Sequence, residues 1–423
     1  MERGASFQPV FSDDCSGHIV VIHRWQDRYA HYTNYFDHSS RPVTYITTAV
    51  GRVSVPDAAA GVVVLPRTSD LDLTRKAVAE LGGRFGQPQA IIALKEGDLP
   101  VASRLREELD IAGRRPADLH HFLDKFAMAQ AVTGLGLEMP EFEMAPDPQA
   151  VRRFAARVGW PVVIKPLRGS ASQGVLKVSA PDCLRAVEFS PQRPLMVERF
   201  LPYPIVHVDG LSGPGGIRPW RASEYICPPL GFNTGAPMGS FEIDDPSTLA
   251  VIEEYITRLI PGLSPDPYVF HLEMFLVRDS VGPPRCVFME IGCRVGGADV
   301  PWLWREVHGM DLMHAECAMQ AGRIPELPDL RADEPVAGYV VLPLPVKAPC
   351  RVLHSTSMVG PGGPYAETVP AVGTVIPAAD AVYEHVGGRF RFSGATSPEV
   401  EAAVRRTADR FEIRCEPLFT TQA

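Results

Sequence analysis

Four short apolar runs occupy the first hundred residues: "HIVVIHR" (18–24), "VTYIT" (43–47), "GVVVLP" (61–66) and "QAIIALKE" (89–96). Each is rich in β-branched residues and lacks the polar alternation of a half-solvated strand. Each therefore predicts a strand buried on both faces. "DLTRKAVAELGGRFG", between the last two, has helical spacing. Strands alternating with helices imply a parallel, doubly wound α/β domain, assigned to residues 1–115. No G-x-G-x-x-G follows the first run, so this is not a dinucleotide fingerprint.

The 423 residues suffice for several domains, and 45% hydrophobic with 22% charged residues is globular. A net charge of −9 without a dense basic patch argues against a nucleic-acid partner. No run of about 18 apolar residues suggests a membrane span. The N-terminus, "MERGASFQPVFSDDCSG", lacks the basic and apolar regions of a signal peptide. The expectation is a cytoplasmic protein with no membrane partner. The eight cysteines form no C-x-x-C pair, which weighs against zinc and disulfide frameworks. No G-x-S-x-G occurs and no cysteine sits in a recognisable Cys–His arrangement. Six of the 41 basic residues are lysine: Lys76, Lys95, Lys125, Lys165, Lys177 and Lys347. In an arginine-using chain, a lysine facing a core or a glycine loop needs a reason.

Further along, residues 118–142 read as a helix ending near Gly134 or Gly136, then an extended segment. "DPQAVRRFAARVG" (147–159) is a helix with Asp147 as cap, Pro148 at its first position and Gly159 past its end. "WPVVIKP", "GVLKVSA" and "RPLMVERFL" are strands. Residues 202–220 hold a strand and a Gly/Pro turn, and 223–246 are mostly irregular. A helix spans 247–260. "YVFHLEMFLVRD" and "PRCVFMEIGCR" are strands joined near Val281 and Gly282, and 301–322 are helical. Proline becomes frequent from 323. The remainder reads as a small α+β lobe with one helix, capped by Ser397.

The stretch "CVFMEIGCRVGG" (286–297) poses the functional question. Alternation places Glu290, Gly292 and Arg294 on one face, and Met289, Ile291 and Cys293 on the other. Folding the two late strands together brings Glu273 opposite Glu290. Like charges opposed across strands are destabilising, so the pair implies a raised pKa or a bound cation, and an oxygen-only donor set suits Mg²⁺. A slipped register or exposed acids is the alternative. "GSASQG" (169–174), after Lys165, is a turn able to close over phosphates, or else a long hairpin loop. It is not a Walker A loop, because Val175 and Leu176 stand where Lys and Ser/Thr belong. Lys125 alone reads as a surface lysine and Glu198 alone as a strand-end residue. His23, His207, His271 and His308 lack partners at metal-ligand spacing and read as satisfied, partly buried histidines.

Together the order Lys125, Lys165, glycine loop, Glu198, Glu273, Glu290, Arg294 resembles the ATP-grasp superfamily. Within it, the carboxylate–amine ligases are nearest, such as the L-amino-acid (dipeptide) ligases and D-alanine–D-alanine ligases. The resemblance spans about residues 115–322. It implies two α+β subdomains, 116–201 with the lid and 202–325 with the metal site, before the C-terminal lobe at 326–423. It implies ATP with Mg²⁺, or Mn²⁺ in its place. Lys125 and Lys165 would contact ATP. Gly169, Ser170, Ala171, Ser172, Gln173 and Gly174 would form the lid. Glu198, Phe200 and Leu201 would hold adenine. Glu273 and Glu290 would bind metal, Arg294 would stabilise the transferred phosphoryl group, and Gly296 and Gly297 would shape the acceptor pocket. Two positions depart from the pattern. Ile205 stands where a ribose-binding acid is usual, leaving His207 or Asp209 to substitute. Gly292 stands where many members have an Asn ligand.

The implied chemistry is activation of a carboxylate as an acyl-phosphate, then attack by an amine, with small-molecule substrates, no protein nucleophile and a homodimer as the family habit. A purine-biosynthetic or carboxylase-type ligase and a non-catalytic ATP-binding regulator are the other readings.

Overall fold

The computed structural model describes residues 17–26, 29–213, 216–278, 284–325, 334–377 and 385–418. The N-terminal segment read as leaderless, part of the Gly/Pro turn near 214, the turn at Val281 and Gly282, and the boundary at 325/326 lie outside the described residues.

The first four runs form strands β1 (His18–His23), β2 (Val43–Thr47), β3 (Gly61–Val64) and β4 (Pro88–Ala93), all parallel, in the order β3-β2-β1-β4. β1 and β2 are buried on both faces and β4 nearly so, which explains their unbroken apolar sequence, whereas β3 is an edge strand with Gly61 to Val63 only half-buried and Val64 exposed, which corrects its reading as a fully buried strand. Val20, Ile22 and Ile91 pack on helices Leu71–Phe85 and Leu99–Leu109. Ile19, Val21 and Ile92 pack on a core that includes Met313 and Cys317 of helix Leu312–Gln320.

A second sheet holds β5 (Phe142–Met144), β6 (Val162–Pro166), β7 (Leu176–Val178) and β8 (Leu195–Arg199), in the antiparallel order β5-β8-β6-β7. Helix Pro148–Val158 packs on it through Val151, Phe154 and Ala155, and Asp147 caps that helix by accepting from the Ala150 amide.

The third sheet is the largest. It contains β9 (Ile205–Gly213), β10 (Gly216–Tyr225), β11 (Met238–Glu242), β12 (Tyr268–Val277), β13 (Arg285–Gly292) and β14 (Val336–Leu342). Its antiparallel order runs β13-β12-β9-β10-β11-β14 and continues into two later strands, Gly388–Gly394 and Ala366–Thr368. The tail therefore shares backbone hydrogen bonds with the sheet that carries Glu273 and Glu290. Strands Cys350–Ser355, Val375–Ile376 and Ile413–Pro417 make a separate three-stranded sheet.

Four other local readings are corrected. Residues 118–142 hold two helices, His120–Leu123 and Lys125–Gly134, because Asp124 is extended and caps the second by accepting from the Phe126 and Ala127 amides. The stretch 223–246 includes the buried strand β11, paired with β10 and β14. Residues 301–322 hold helices Val300–Glu306 and Leu312–Gln320, separated where Gly309 takes a positive φ of 67°. Thr396, not Ser397, precedes the last helix, and Ser397 instead donates its amide to Asp244 and its hydroxyl to the Glu242 carbonyl. Among the described residues no helix is long and apolar enough to cross a membrane.

Candidate active site

The three sheets meet around one cleft of about 1700 Å³. Pockets for single small ligands run to roughly 1,000 Å³, so this one has room for a nucleotide and a second ligand. The residues just beyond the carboxyl ends of β1 to β4 enter it: Arg24 and Trp25, Thr48, Leu65, and Lys95 with Glu96. Parallel α/β sheets bind ligands at this edge.

Residues 169–174 form a turn over the cleft between β6 and β7. Ala171 and Ser172 both have φ of 56° and Gly169 has φ of 125°, so the segment folds back through left-handed backbone. Lys125 reaches it. As the first residue of its helix, Lys125 is buried, and its ammonium donates to the Gly169 carbonyl at 2.7 Å and to Glu290 at 2.6 Å. Burial alone would lower the pKa of this ammonium, but the charge and hydrogen bond of Glu290 raise it. The break at Asp124 accounts for this position, where a continuous helix predicted a surface lysine.

Lys165, next to last in β6, pairs with Glu198 of β8 at 2.7 Å, both nearly buried. The two strands are antiparallel neighbours, with Val163 opposite Glu198. Beyond Glu198, Phe200 and Leu201 line the cleft, and the Lys177 ammonium lies 3.8 Å from the Phe200 ring centre. Ile205 also lines the cleft as an apolar residue.

On the opposite wall, β12 and β13 are antiparallel with Glu273 directly opposite Glu290 and His271 opposite Gly292. The register shifts just beyond Glu273, where Met274 faces Phe288 and Met289 has no partner of its own. This bulge explains why Met289 lines the cleft beside Glu290, although simple alternation placed them on opposite faces. Ile291 and Cys293 are buried on the other side, as alternation requires. Glu273 accepts from the Tyr225 hydroxyl at 2.9 Å. Burial opposes its ionisation, but His271 and Tyr225 outweigh that and lower its pKa. Arg294 donates to Glu96 at 2.6 Å and to the Val295 carbonyl at 2.9 Å.

Behind this wall, Asp209 of β9 sits between two histidines. It meets His207 Nδ1 at 2.6 Å and His271 Nδ1 at 2.8 Å. Burial would raise its pKa, but the two imidazoles push it well below the usual carboxylate range. Burial would lower that of His271, but Asp209 and Glu273 raise it to about 9. His207 also reaches the Ser240 hydroxyl at 2.9 Å and is 2% exposed. Both its ring nitrogens are engaged behind the cleft wall, away from the ribose position expected for it. Asp209 is equally buried. Gly296 and Gly297 both border the cleft. A side chain at Gly296 would place Cβ 2.3 Å from Asp209 Oδ1, whereas Gly297 has nothing within 4 Å.

The structure thus brings Lys125, Lys165, residues 169–173 of the turn, Glu198, Phe200, Leu201, Glu273, Glu290, Arg294, Gly296 and Gly297 to one cleft, and leaves Gly174 outside its lining and His207 behind it. Sequence reasoning missed Glu96 and Tyr225. The signal for Glu96 was an acid at the carboxyl end of an apolar run predicted to be a parallel strand.

No family model matches the chain. Among curated proteins, the chain is 34% identical over 177 residues to formate-dependent phosphoribosylglycinamide formyltransferase of Synechococcus sp. (strain CC9311), covering 38% of this chain and 41% of that protein. It is 32% identical over 120 residues to the carbamoyl phosphate synthase large chain of Mycobacterium sp. (strain JLS), 27% of this chain but only 11% of that much longer protein. Among solved structures, the L-amino acid ligase of Bacillus licheniformis superposes with a TM-score of 0.70 at 18% identity, over 94% of this chain and 98% of that one. A carboxyaminoimidazole ribonucleotide synthase from Aspergillus clavatus, solved with ATP, gives 0.65 at 13% identity, over 94% and 99%. The chain has the ATP-grasp fold. Within that fold, the amino acid ligase and the synthase both match it over nearly their whole lengths.

Proposed function

We propose that this protein is an ATP-dependent ligase that activates a carboxylate, that of an amino acid, and joins it to an amine, that of another amino acid. The carrying observation is the convergence on one cleft of two buried lysines, two opposed glutamates and Arg294. The whole-length likeness to an L-amino acid ligase supports the choice of substrates. The pairing of Lys125 with both Glu290 and a lid carbonyl supports a phosphate site between lid and wall.

Glu273 and Glu290 suit a hard divalent cation. They face each other across one strand pair, the pKa of Glu273 is lowered, and both present carboxylate oxygens. They would hold Mg²⁺, which supplies Lewis-acid neutralisation of phosphate charge when bound. Glu198, Phe200 and Leu201 hold adenine, and Lys125 and Lys165 offset phosphate charge. A substrate carboxylate oxygen attacks the γ-phosphorus, the bond to ADP breaks, and an acyl-phosphate forms beside Arg294. The amine nitrogen then attacks the carbonyl carbon, the C–O bond to phosphate breaks, the nitrogen gives up one proton to the departing phosphate, and an amide and inorganic phosphate leave. Lid residues Gly169 to Gly174 shield the acyl-phosphate from water. Glu96 holds Arg294 in place at the β4 edge of this centre. All seven described cysteines are free, which supports a cytoplasmic setting.

The test is a product assay across pairs of amino acids. The expected result is ADP and phosphate released only when carboxylate and amine are both present. Release of AMP overturns the proposal, and dependence on bicarbonate reassigns the chain to carboxylase chemistry.

A further inference from the structure

His271 was read from sequence as a satisfied, partly buried histidine, and the structure gives it an unusual position. It lies on β12 two residues before Glu273 and directly across from Gly292, which contributes no side chain. It borders the cleft on the same face as Glu273 and Glu290. Its Nδ1 is committed to Asp209 at 2.8 Å. Its Nε2 lies 3.7 Å from Glu273 Oε1, beyond hydrogen-bond reach.

That separation has a natural meaning. Two atoms bound to one cation by bonds of about 2.1 Å lie about 3 Å apart at a right angle and about 4 Å apart when opposed. The 3.7 Å between Nε2 and Oε1 lies between these two values, close enough for both atoms to approach one ion. A histidine whose far nitrogen meets a buried carboxylate is also the usual arrangement of a metal-bound imidazole, because the carboxylate fixes the tautomer and the ring plane. Asp209 does this here, and its second oxygen is tied by His207.

His207, Asp209 and His271 lie close enough together to hold a metal themselves. However, both Nδ1 nitrogens and both carboxylate oxygens are spent on one another. The donor left over is Nε2 of His271, on the side of Glu273. Gly296 completes the arrangement, since a Cβ there would strike Asp209 Oδ1 at 2.3 Å and His271 Nδ1 at 2.9 Å.

We infer that His271 is a third protein ligand of the cation held by Glu273 and Glu290, through Nε2 on the side of Glu273, with Asp209 as its positioning residue. The inference rests on the metal assignment of the proposed function. Cation binding takes the place of the Nε2 proton, which is released to solvent. A nitrogen donor also gives the site a preference for a first-row ion such as Mn²⁺ over Mg²⁺, which strongly favours oxygen.

The experiment uses the full chain labelled with ¹⁵N-histidine, loaded with Mn²⁺ and a non-hydrolysable ATP analogue of natural isotope content. Pulsed electron paramagnetic resonance then reads nitrogen coupled to the metal. The expected result is a ¹⁵N coupling in the native chain, lost in His271→Asn and His271→Gln and kept in His207→Asn. Asp209→Asn keeps the coupling and weakens Mn²⁺ binding about 10- to 100-fold. Mn²⁺ and nucleotide bound through Glu273 and Glu290 without ¹⁵N coupling overturns this inference and leaves the ligase reading intact. A coupling that survives in both His271 variants also overturns it. A native chain that binds no Mn²⁺–nucleotide overturns the inference and the metal assignment together. Where one His271 variant fails to fold the other carries the test, and a native spectrum without coupling overturns the inference by itself.

Discussion

His23 and His271 both lie buried on β-strands. His23 ends β1 of the parallel sheet, where burial, with a smaller effect of Lys95, lowers its pKa to about 4. It is held neutral, hydrogen-bonded to Ser54 and Tyr32. His271 sits in the antiparallel sheet, where Asp209 and Glu273 overcome the same burial penalty and raise its pKa to about 9. Among the described residues, His23 has no carboxylate partner to hold a charge, whereas His271 has two. A buried charge persists only with partners, and Asp209, His271, Glu273, Glu290, Lys125 and Arg294 supply them to one another, with Glu96 pairing Arg294, around the cleft proposed as the active site.

The comparison breaks most easily at Glu290. Glu290→Gln should keep the fold, because the amide still reaches Lys125, while ligase turnover falls about 10³-fold through loss of charge at the metal and phosphates. Phosphate release and thermal unfolding on the same preparation check this. Turnover within tenfold of native would place the chemistry elsewhere. The converse substitution is Ile92→Ala in β4, at 0% exposure. It should cost about 2–5 kcal/mol of stability by urea denaturation, with turnover per folded molecule unchanged.

Stability against pH should separate the two sheets by sign. The folded pKa of His23 lies below its unfolded value. Its contribution is therefore complete above about pH 6.5 and lost as pH falls through about 4, by up to about 3 kcal/mol. The folded pKa of His271 lies above its unfolded value. Its contribution in the metal-free chain is complete below about 6.5 and lost as pH rises through about 9. Urea titrations should show His23→Gln flattening only the acid slope and His271→Asn only the alkaline one. The smallest contrast is within the cleft. Gly296→Ala should destabilise by about 1–3 kcal/mol through overpacking on Asp209, and Gly297→Ala should change stability by under about 0.5 kcal/mol. Equal effects would show that the pair serves only as a flexible loop.

The parallel sheet was legible because each of its strands carries its own signal, a short β-branched run that needs no partner to be recognised. The helix at Pro148–Val158 was legible for the same reason, since its cap, first proline and terminal glycine are local. β11 was not. "MGSFE" is weakly strand-like, and it is buried because β14, about a hundred residues later, pairs with it. The Met289 bulge was hidden because alternation assumes regular pairing. Lys125 was underrated because the capping by Asp124 that turns it inward competes with an uninterrupted helical pattern.

The residue types alone determined the apolar strands, the pairing of Glu273 with Glu290 as an electrostatic problem and the order of motifs that resembles ATP-grasp ligases. Those follow from local periodicity and from the chemistry of side chains wherever they stand. Only the tertiary structure decided that Glu96 meets Arg294, that Tyr225 meets Glu273, that His207 meets Ser240 behind the cleft wall and that His271 pairs opposite Gly292. Each of these joins residues far apart in the chain, and no local pattern encodes a contact whose two halves are brought together by the pairing of whole strands.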